Sequence, residues 1–302
     1  MDNKRPDNSR ERVKRAIGHE PQDRVAKGEL CVNDAVVRRE LNCVKVGFEE
    51  RRAFAAGLEL DLFTVLPYCS NPGNNPPAFK DYQWPDIEKW TAQTSLFVFA
   101  VVEGAFEVGL RLYDLQFLTL IQRSPLTLRE FIAKIERLNL SFFKKLSANG
   151  INGIVLADDI AYEKGLFINP SLFREYFLPS LARQVETVRR LGLAVFYHSD
   201  GNYYPIIPDL IDAGFQGLHC IDRDCGMDMT DIQLQFGDRL CLWGHLNPEA
   251  AKRAHNPDSL REILHHLQKL AARKGIILGA NCGLFEGMDI SGLKVIYNSI
   301  GR

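Results

Sequence analysis

Eight short apolar runs, each closing on polar residues and separated by helix-like stretches, constrain this chain more than any other feature. They run from Val25 to Cys31, Leu58 to Leu66, Leu96 to Glu103, Gly153 to Asp159, Ala194 to Ser199, Gly217 to Asp222, Leu240 to His245 and Gly275 to Asn281. Such runs read as strands buried on both faces, because parallel strands covered by helices lose the polar alternation of a half-solvated sheet. The intervening segments are amphipathic. Pro170-Ser171 opens one that carries Phe173, Tyr176, Leu181 and Val185 inward and stops at Gly192, with Pro179 expected to kink or divide it. Thr127 to Leu146 predicts a second helix, and the third begins at Asn256-Pro257-Asp258. Eight strands alternating with helices over roughly 250 residues fit a closed (β/α)8 TIM barrel of the α/β class better than an open sheet. One domain spanning residues 1–302 is expected, with an N-terminal helical extension over about 1–22. Pro67 to Trp84 holds too much Pro, Gly and Asn for helix and predicts a long loop over one end of the barrel.

Composition excludes several classes of function. With 46% hydrophobic and 25% charged residues the chain can bury a sizeable core, and a net charge of -1 provides no global field for nucleic acid or an anionic membrane. No apolar run approaches the roughly eighteen residues of a membrane helix, since Leu96 to Val102 stops at Glu103. The N-terminus has no apolar core of the kind a secretory signal needs. Seven scattered cysteines, an odd number, do not form a disulfide framework, so a reduced, cytoplasmic protein is expected.

Barrel enzymes place their chemistry at the C-terminal ends of the strands. Applied here, that rule gathers Glu103, Asp158 and Asp159, His198 and Asp200, His219, Cys220 and Asp222, His245 and Asn247, and Asn281 and Cys282. Each has a plainer reading. Asp158-Asp159 would serve equally to cap a turn through backbone N–H groups, and His245 to pin a loop. Side chains alternate along a strand, so at most one of His219 and Cys220 is expected to face the interior, with Cys220 read as a small buried hydrophobe like Cys241. His265 and His266 are assigned no function, and Cys225 is read as a loop residue. His198, Asp200 and Cys282 carry the nitrogen, oxygen and sulfur donors that zinc accepts from about three protein ligands, a catalytic ion keeping a fourth position open.

Long blocks resemble a known family in the expected order. They are "SRERVKRAIGHEPQDRV", "ADDIAYEKGLFINPSLFREYFLPSLARQVE", "VFYHSDGNYYPIIPDLIDAGFQGLHCID" and "GMDMTDIQLQFGDRLCLWGHLNPE". They look like the uroporphyrinogen decarboxylase superfamily, and more closely its methyltransferase-like branch, which implies a TIM barrel. True uroporphyrinogen decarboxylases resemble one another in an N-terminal Arg-Gln-Ala-Gly-Arg segment that holds substrate carboxylates. This chain lacks it and has adjacent Arg38 and Arg39 in a helix-like stretch, which disfavours a polyanionic porphyrinogen. In the methyltransferase branch a His-x-Cys pair and a distant C-terminal cysteine hold zinc. The matching positions are His198, Asp200 and Cys282, with a carboxylate in place of the middle thiolate.

The resemblance therefore implies a zinc-dependent methyltransferase exchanging a methyl group between a small methylated substrate and a corrinoid. No Asp-x-His-x-x-Gly segment is present, so the corrinoid is expected on a separate protein. One fewer thiolate leaves a harder, more Lewis-acidic ion, suited to a methoxylated substrate. Asp158, Asp159 and Glu103 are the candidate acids, and His219, His245 and Asn281 the candidate substrate contacts. Tyr203, Tyr204 and Phe285 are candidates for the docking surface. Related barrels are often dimers, which leaves a homodimer open. Two other readings stand beside this one: a metal-free decarboxylase or lyase using Asp158 or Asp159 with His198 on a small carboxylic acid, and a non-catalytic small-molecule-binding barrel.

Overall fold

The computed structural model describes residues 8–73 and 77–300. Eight parallel strands close into a barrel: β1 (Ala26–Glu29), β2 (Leu62–Val65), β3 (Phe97–Glu103), β4 (Gly153–Ala157), β5 (Ala194–His198), β6 (Gly217–His219), β7 (Cys241–Leu246) and β8 (Ile276–Ala280). Neighbours in sequence are neighbours in the sheet, and β1 pairs with β8 to complete the ring. This is the TIM barrel that the eight apolar runs predict. Most strands are shorter than the runs because polar residues such as Asp158, Ser199 and Asp222 turn out of the ladder into βα loops, whereas Glu103 and His245 stay within it. By internal contacts the chain clusters into two compact units. One draws on the chain up to Thr64, Lys89–Val98 and the chain from Asp228 onward, the other on Val65–Glu88 and Phe99–Met227.

The helices bear out the periodicity, with informative differences. Thr127 to Leu146 lies within a longer helix, Pro125–Ala148, which starts on a proline whose missing N–H would be unpartnered there anyway. The segment with Pro179 is neither broken nor simply kinked. A short turn at Pro170–Leu172 runs into a π-helical turn over Phe173–Phe177, then into the helix Leu178–Arg190. Proline cannot donate to the carbonyl four residues back, and a widened turn just before it absorbs that lost bond. The stretch Pro67 to Trp84 is tied at its base by a small hairpin, in which Tyr68 pairs with Gln83 and Cys69 with Tyr82. Of the expected N-terminal extension, Ser9–Ile17 is helical, capped by the Asn8 side chain, and residues 1–7 lie outside the described residues. No helix among the described residues is long and apolar enough to cross a membrane.

In the first unit, buried charge ties the N-terminal helix to the strands. Asp61 is fully buried and accepts from Arg12 Nη1, from Arg24 Nη1 at 2.6 Å and Nη2 at 2.9 Å, and from the Lys27 backbone N–H at 3.0 Å. Glu29 on β1 is also buried; the Tyr297 hydroxyl donates to one of its oxygens and the Ala280 N–H donates to the other at 3.0 Å. Burial pushes this carboxyl up to about 7.

Removing the Asp61 charge leaves Arg12 with Asp23 alone and takes the carboxylate from the partly buried Arg24, so Asp61→Asn is expected to destabilise the fold by roughly 1–3 kcal/mol. The denaturant midpoint checks this. A change under about 1 kcal/mol would mean that Arg12 and Arg24 find other partners or water.

Candidate metal centre and its carboxylate wall

Within the second unit, strands β3 to β6 end in register. Glu103 pairs with Ala157, Ala157 with His198, and His198 with His219. The residues immediately after these strand ends are therefore delivered side by side at the C-terminal edge.

His198, Asp200 and Cys220 form one cluster whose ligand atoms all lie within 4.8 Å of one another. The Cys220 thiol donates to Asp200 Oδ1 at 3.1 Å, and His198 Nε2 lies 4.0 Å from that same oxygen. Imidazole, carboxylate and thiolate are all zinc ligands, and three protein donors leave the fourth position of a tetrahedral ion open, so the residues fit the ion the sequence suggests. Cys220 corrects the sequence expectation. Strand β6 stops at His219, and Cys220 has a left-handed backbone with φ of 64°. The alternation that should send His219 and Cys220 to opposite faces ends there, and both reach the same neighbourhood. Cys282, the thiolate expected from the C-terminal match, is half-buried beyond β8 in the first unit.

His219 is fully buried, and its Nδ1 lies 2.9 Å from His198 Nδ1. Burial first, and His198 second, hold its pKa well below the usual histidine range, so it is neutral at physiological pH. Only one proton can sit between the two Nδ1 atoms. When His198 carries it, Nε2 presents its lone pair toward Asp200, as a metal ligand must. His219, expected as a substrate contact, is thus a support for His198. The Tyr203 hydroxyl donates to the His219 carbonyl at 2.9 Å and lies 3.3 Å from that of Cys220. Tyr203 is fully buried, so it belongs to this frame and not to an exposed docking surface.

The adjacent carboxylates divide by environment. Asp158 is 1% exposed, and its Oδ1 accepts the Glu107 N–H at 2.8 Å at the start of the helix Ala105–Tyr113. Gly104 makes room for it, since a Cβ there would sit 2.2 Å from Asp158 Cγ. Burial pushes Asp158 up to about 8 although the Glu107 and Phe106 N–H groups favour its charge. This is the capping role, filled across elements instead of locally. Asp159 is 38% exposed at its side chain and faces the cluster, with Oδ1 3.7 Å from His198 Nε2 and accepting the Asp200 N–H at 2.9 Å. Glu103 is engaged by Arg111 at 2.6 Å and by the Tyr82 hydroxyl at 2.9 Å. Glu107, which the sequence reading missed, is half-buried and accepts the Asp159 N–H. Its one sequence signal is the i, i+4 spacing Glu107–Arg111, which puts two opposite charges on one face of that helix.

His245 and Asn281, the other expected substrate contacts, belong to the first unit. His245, on β7, has its Nε2 2.9 Å from Nε2 of His266 on the helix Pro257–Ala271, so the pair ties strand to helix instead of pinning a loop and gives His266 a role. Asn281 is buried, and its side chain accepts the Cys282 N–H at 3.1 Å.

Asp158 sets a pH dependence of stability. Its folded pKa of about 8 lies above the ordinary carboxyl value of 3.8, so its proton contributes stability that is fully present below about pH 4 and is lost as pH rises through 8. The unfolding midpoint should therefore fall between pH 5 and about 8 in the wild type, and less steeply in Asp158→Asn. Parallel slopes for the two proteins would show that Asp158 is ionised in the fold.

No curated protein matches the chain. Among solved structures it is similar to a methyltransferase from Methanosarcina mazei, at 14% identity and a TM-score of 0.73, over 97% of this chain and 98% of that one. It is also similar to a D-allulose 3-epimerase from Methylomonas sp., at 14% identity and a TM-score of 0.52, over 91% and 97% of the two chains. An L-ribulose 3-epimerase aligns at 10% identity and a TM-score of 0.51, over 92% and 93%. At these identities the likenesses concern the barrel alone. The sequence itself is more specific: residues 93–302 match the family described as Uroporphyrinogen decarboxylase (URO-D), and the chain belongs to that family.

Proposed function

We propose that this protein is a zinc-dependent methyltransferase that moves a methyl group between a small methylated or methoxylated substrate and a corrinoid carried on a separate protein. The observation that carries the reading is the nitrogen, oxygen and sulfur donor set of His198, Asp200 and Cys220 at the ends of β5 and β6. Family membership and a barrel similar to that of a methyltransferase support it.

His198 and Cys220 are buried, while Asp200 is 55% exposed at its side chain, so the set has a closed back and an open front. When bound, zinc would supply Lewis acidity toward the heteroatom that bears the methyl group. The protein supplies orientation. His219 holds the His198 ring, Tyr203 holds the two carbonyls behind it, and Asp159 holds the Asp200 backbone. Such supports keep ligands in place before the ion arrives and tune its affinity. The metal-free lyase reading needs Asp158 or Asp159 beside His198, but the first is sealed from substrate by its burial and the second is held by the Asp200 N–H.

Metal analysis of protein purified without chelator separates the thiolates. About one zinc per chain is expected in the wild type and in Cys282→Ala, and none in His198→Ala or Cys220→Ala. Zinc kept by Cys220→Ala and lost from Cys282→Ala would move the sulfur ligand to the C-terminal loop. Wild-type protein that neither contains nor takes up zinc would sink the zinc reading.

A further inference from the structure

We propose that Glu107 is the proton donor to a leaving oxygen, and that the substrate of the proposed methyltransferase is accordingly a methyl ether. This rests on the methyltransferase reading of the same site.

The geometry singles out Glu107 among the four carboxylates of the wall. Asp158 is sealed beneath the helix start, and Glu103 is engaged by Arg111 and Tyr82. Asp159 is committed to the Asp200 N–H and stands against His198. Glu107 is clamped at both ends by the residues that follow β4. Its backbone N–H donates to Asp158 Oδ1 at 2.8 Å, and its carboxylate accepts the Asp159 N–H. That reciprocal pair fixes the side chain one residue away from the metal cluster while leaving it partly exposed. Burial, then the charges of Asp159 and Glu103, push its carboxyl up to about 7 against the opposing pull of Arg111, so it holds a proton at the pH where it is needed.

A proton donor discriminates among methyl donors. Quaternary ammonium and sulfonium groups leave as neutral molecules and need none, whereas an ether oxygen leaves as a high-energy alkoxide unless protonated. In the step proposed, the O–CH3 bond breaks with its electron pair remaining on oxygen. The new carbon–cobalt bond is formed by the electron pair of Co(I) in the reduced corrinoid, and Glu107 gives its proton to the oxygen. The products are an alcohol or phenol, a methylated Co(III) corrinoid and the Glu107 carboxylate, which is reprotonated from solvent.

The test uses zinc-loaded full-length protein, reduced cobalamin as acceptor, and two aryl methyl ethers, 4-methylanisole and 4-nitroanisole. Glu107→Gln keeps an acceptor for the Asp159 N–H and should keep the zinc content and melting temperature of the wild type. Its rate should fall by about 10²–10⁴-fold on 4-methylanisole, whose leaving group is poor, and only a few-fold on 4-nitroanisole. An equal loss on both ethers, or no loss on either, overturns the donor role and leaves the methyltransferase reading intact. Wild-type transfer from tetramethylammonium but from neither ether overturns the substrate class alone. No transfer from any of the three overturns both readings together.

Discussion

The Tyr203 hydroxyl, buried behind the end of β6, holds the carbonyls of His219 and Cys220. Much of the candidate centre depends on that contact. Cys220 pays for a left-handed backbone that a non-glycine residue adopts only at a cost of about 1–3 kcal/mol, and the strain persists only where surroundings enforce it. The result is a thiol turned to Asp200 and an imidazole turned to His198 from two consecutive residues. Extended backbone at Cys220 would have sent one of the two side chains away, leaving either the donor set short of sulfur or His198 short of its support.

The carboxylate wall follows the same economy of position. Four acids at the ends of β3 and β4 differ in charge state and task because their surroundings differ. Complete burial holds Asp158 protonated against the pull of a helix N-terminus, a guanidinium and a phenol occupy Glu103, and partial burial beside two acids leaves Glu107 poised near neutrality. Asp159 faces His198 of the candidate metal site. Like charges crowded in one place raise each other's proton affinity, and an enzyme can use that to keep an acid at neutral pH.

The barrel was legible in the sequence because parallel strands covered by helices leave continuous apolar runs, and all eight runs became strands. His198, Asp200 and Asp159 were legible for the same reason, since the rule about strand ends requires only knowing where strands stop. Cys220 was misread because the alternation rule assumes extended backbone, and no residue type at Cys220 announces a positive φ. Tyr203 looks like a surface loop aromatic until the chain is folded over it. Glu107 escaped because it lies one helical turn beyond a strand end, and its importance comes from Asp158 and Asp159, some fifty residues away in sequence. His245 and His266 find each other only through the docking of a helix against the barrel.

In the proposed centre one thiolate, one imidazole and one carboxylate of this chain share a zinc ion. X-ray absorption at the zinc edge tests it most directly. One sulfur scatterer at about 2.3 Å with nitrogen and oxygen scatterers at about 2.0–2.2 Å is expected, the sulfur vanishing in Cys220→Ala. A shell without sulfur, or with two sulfurs, would contradict it.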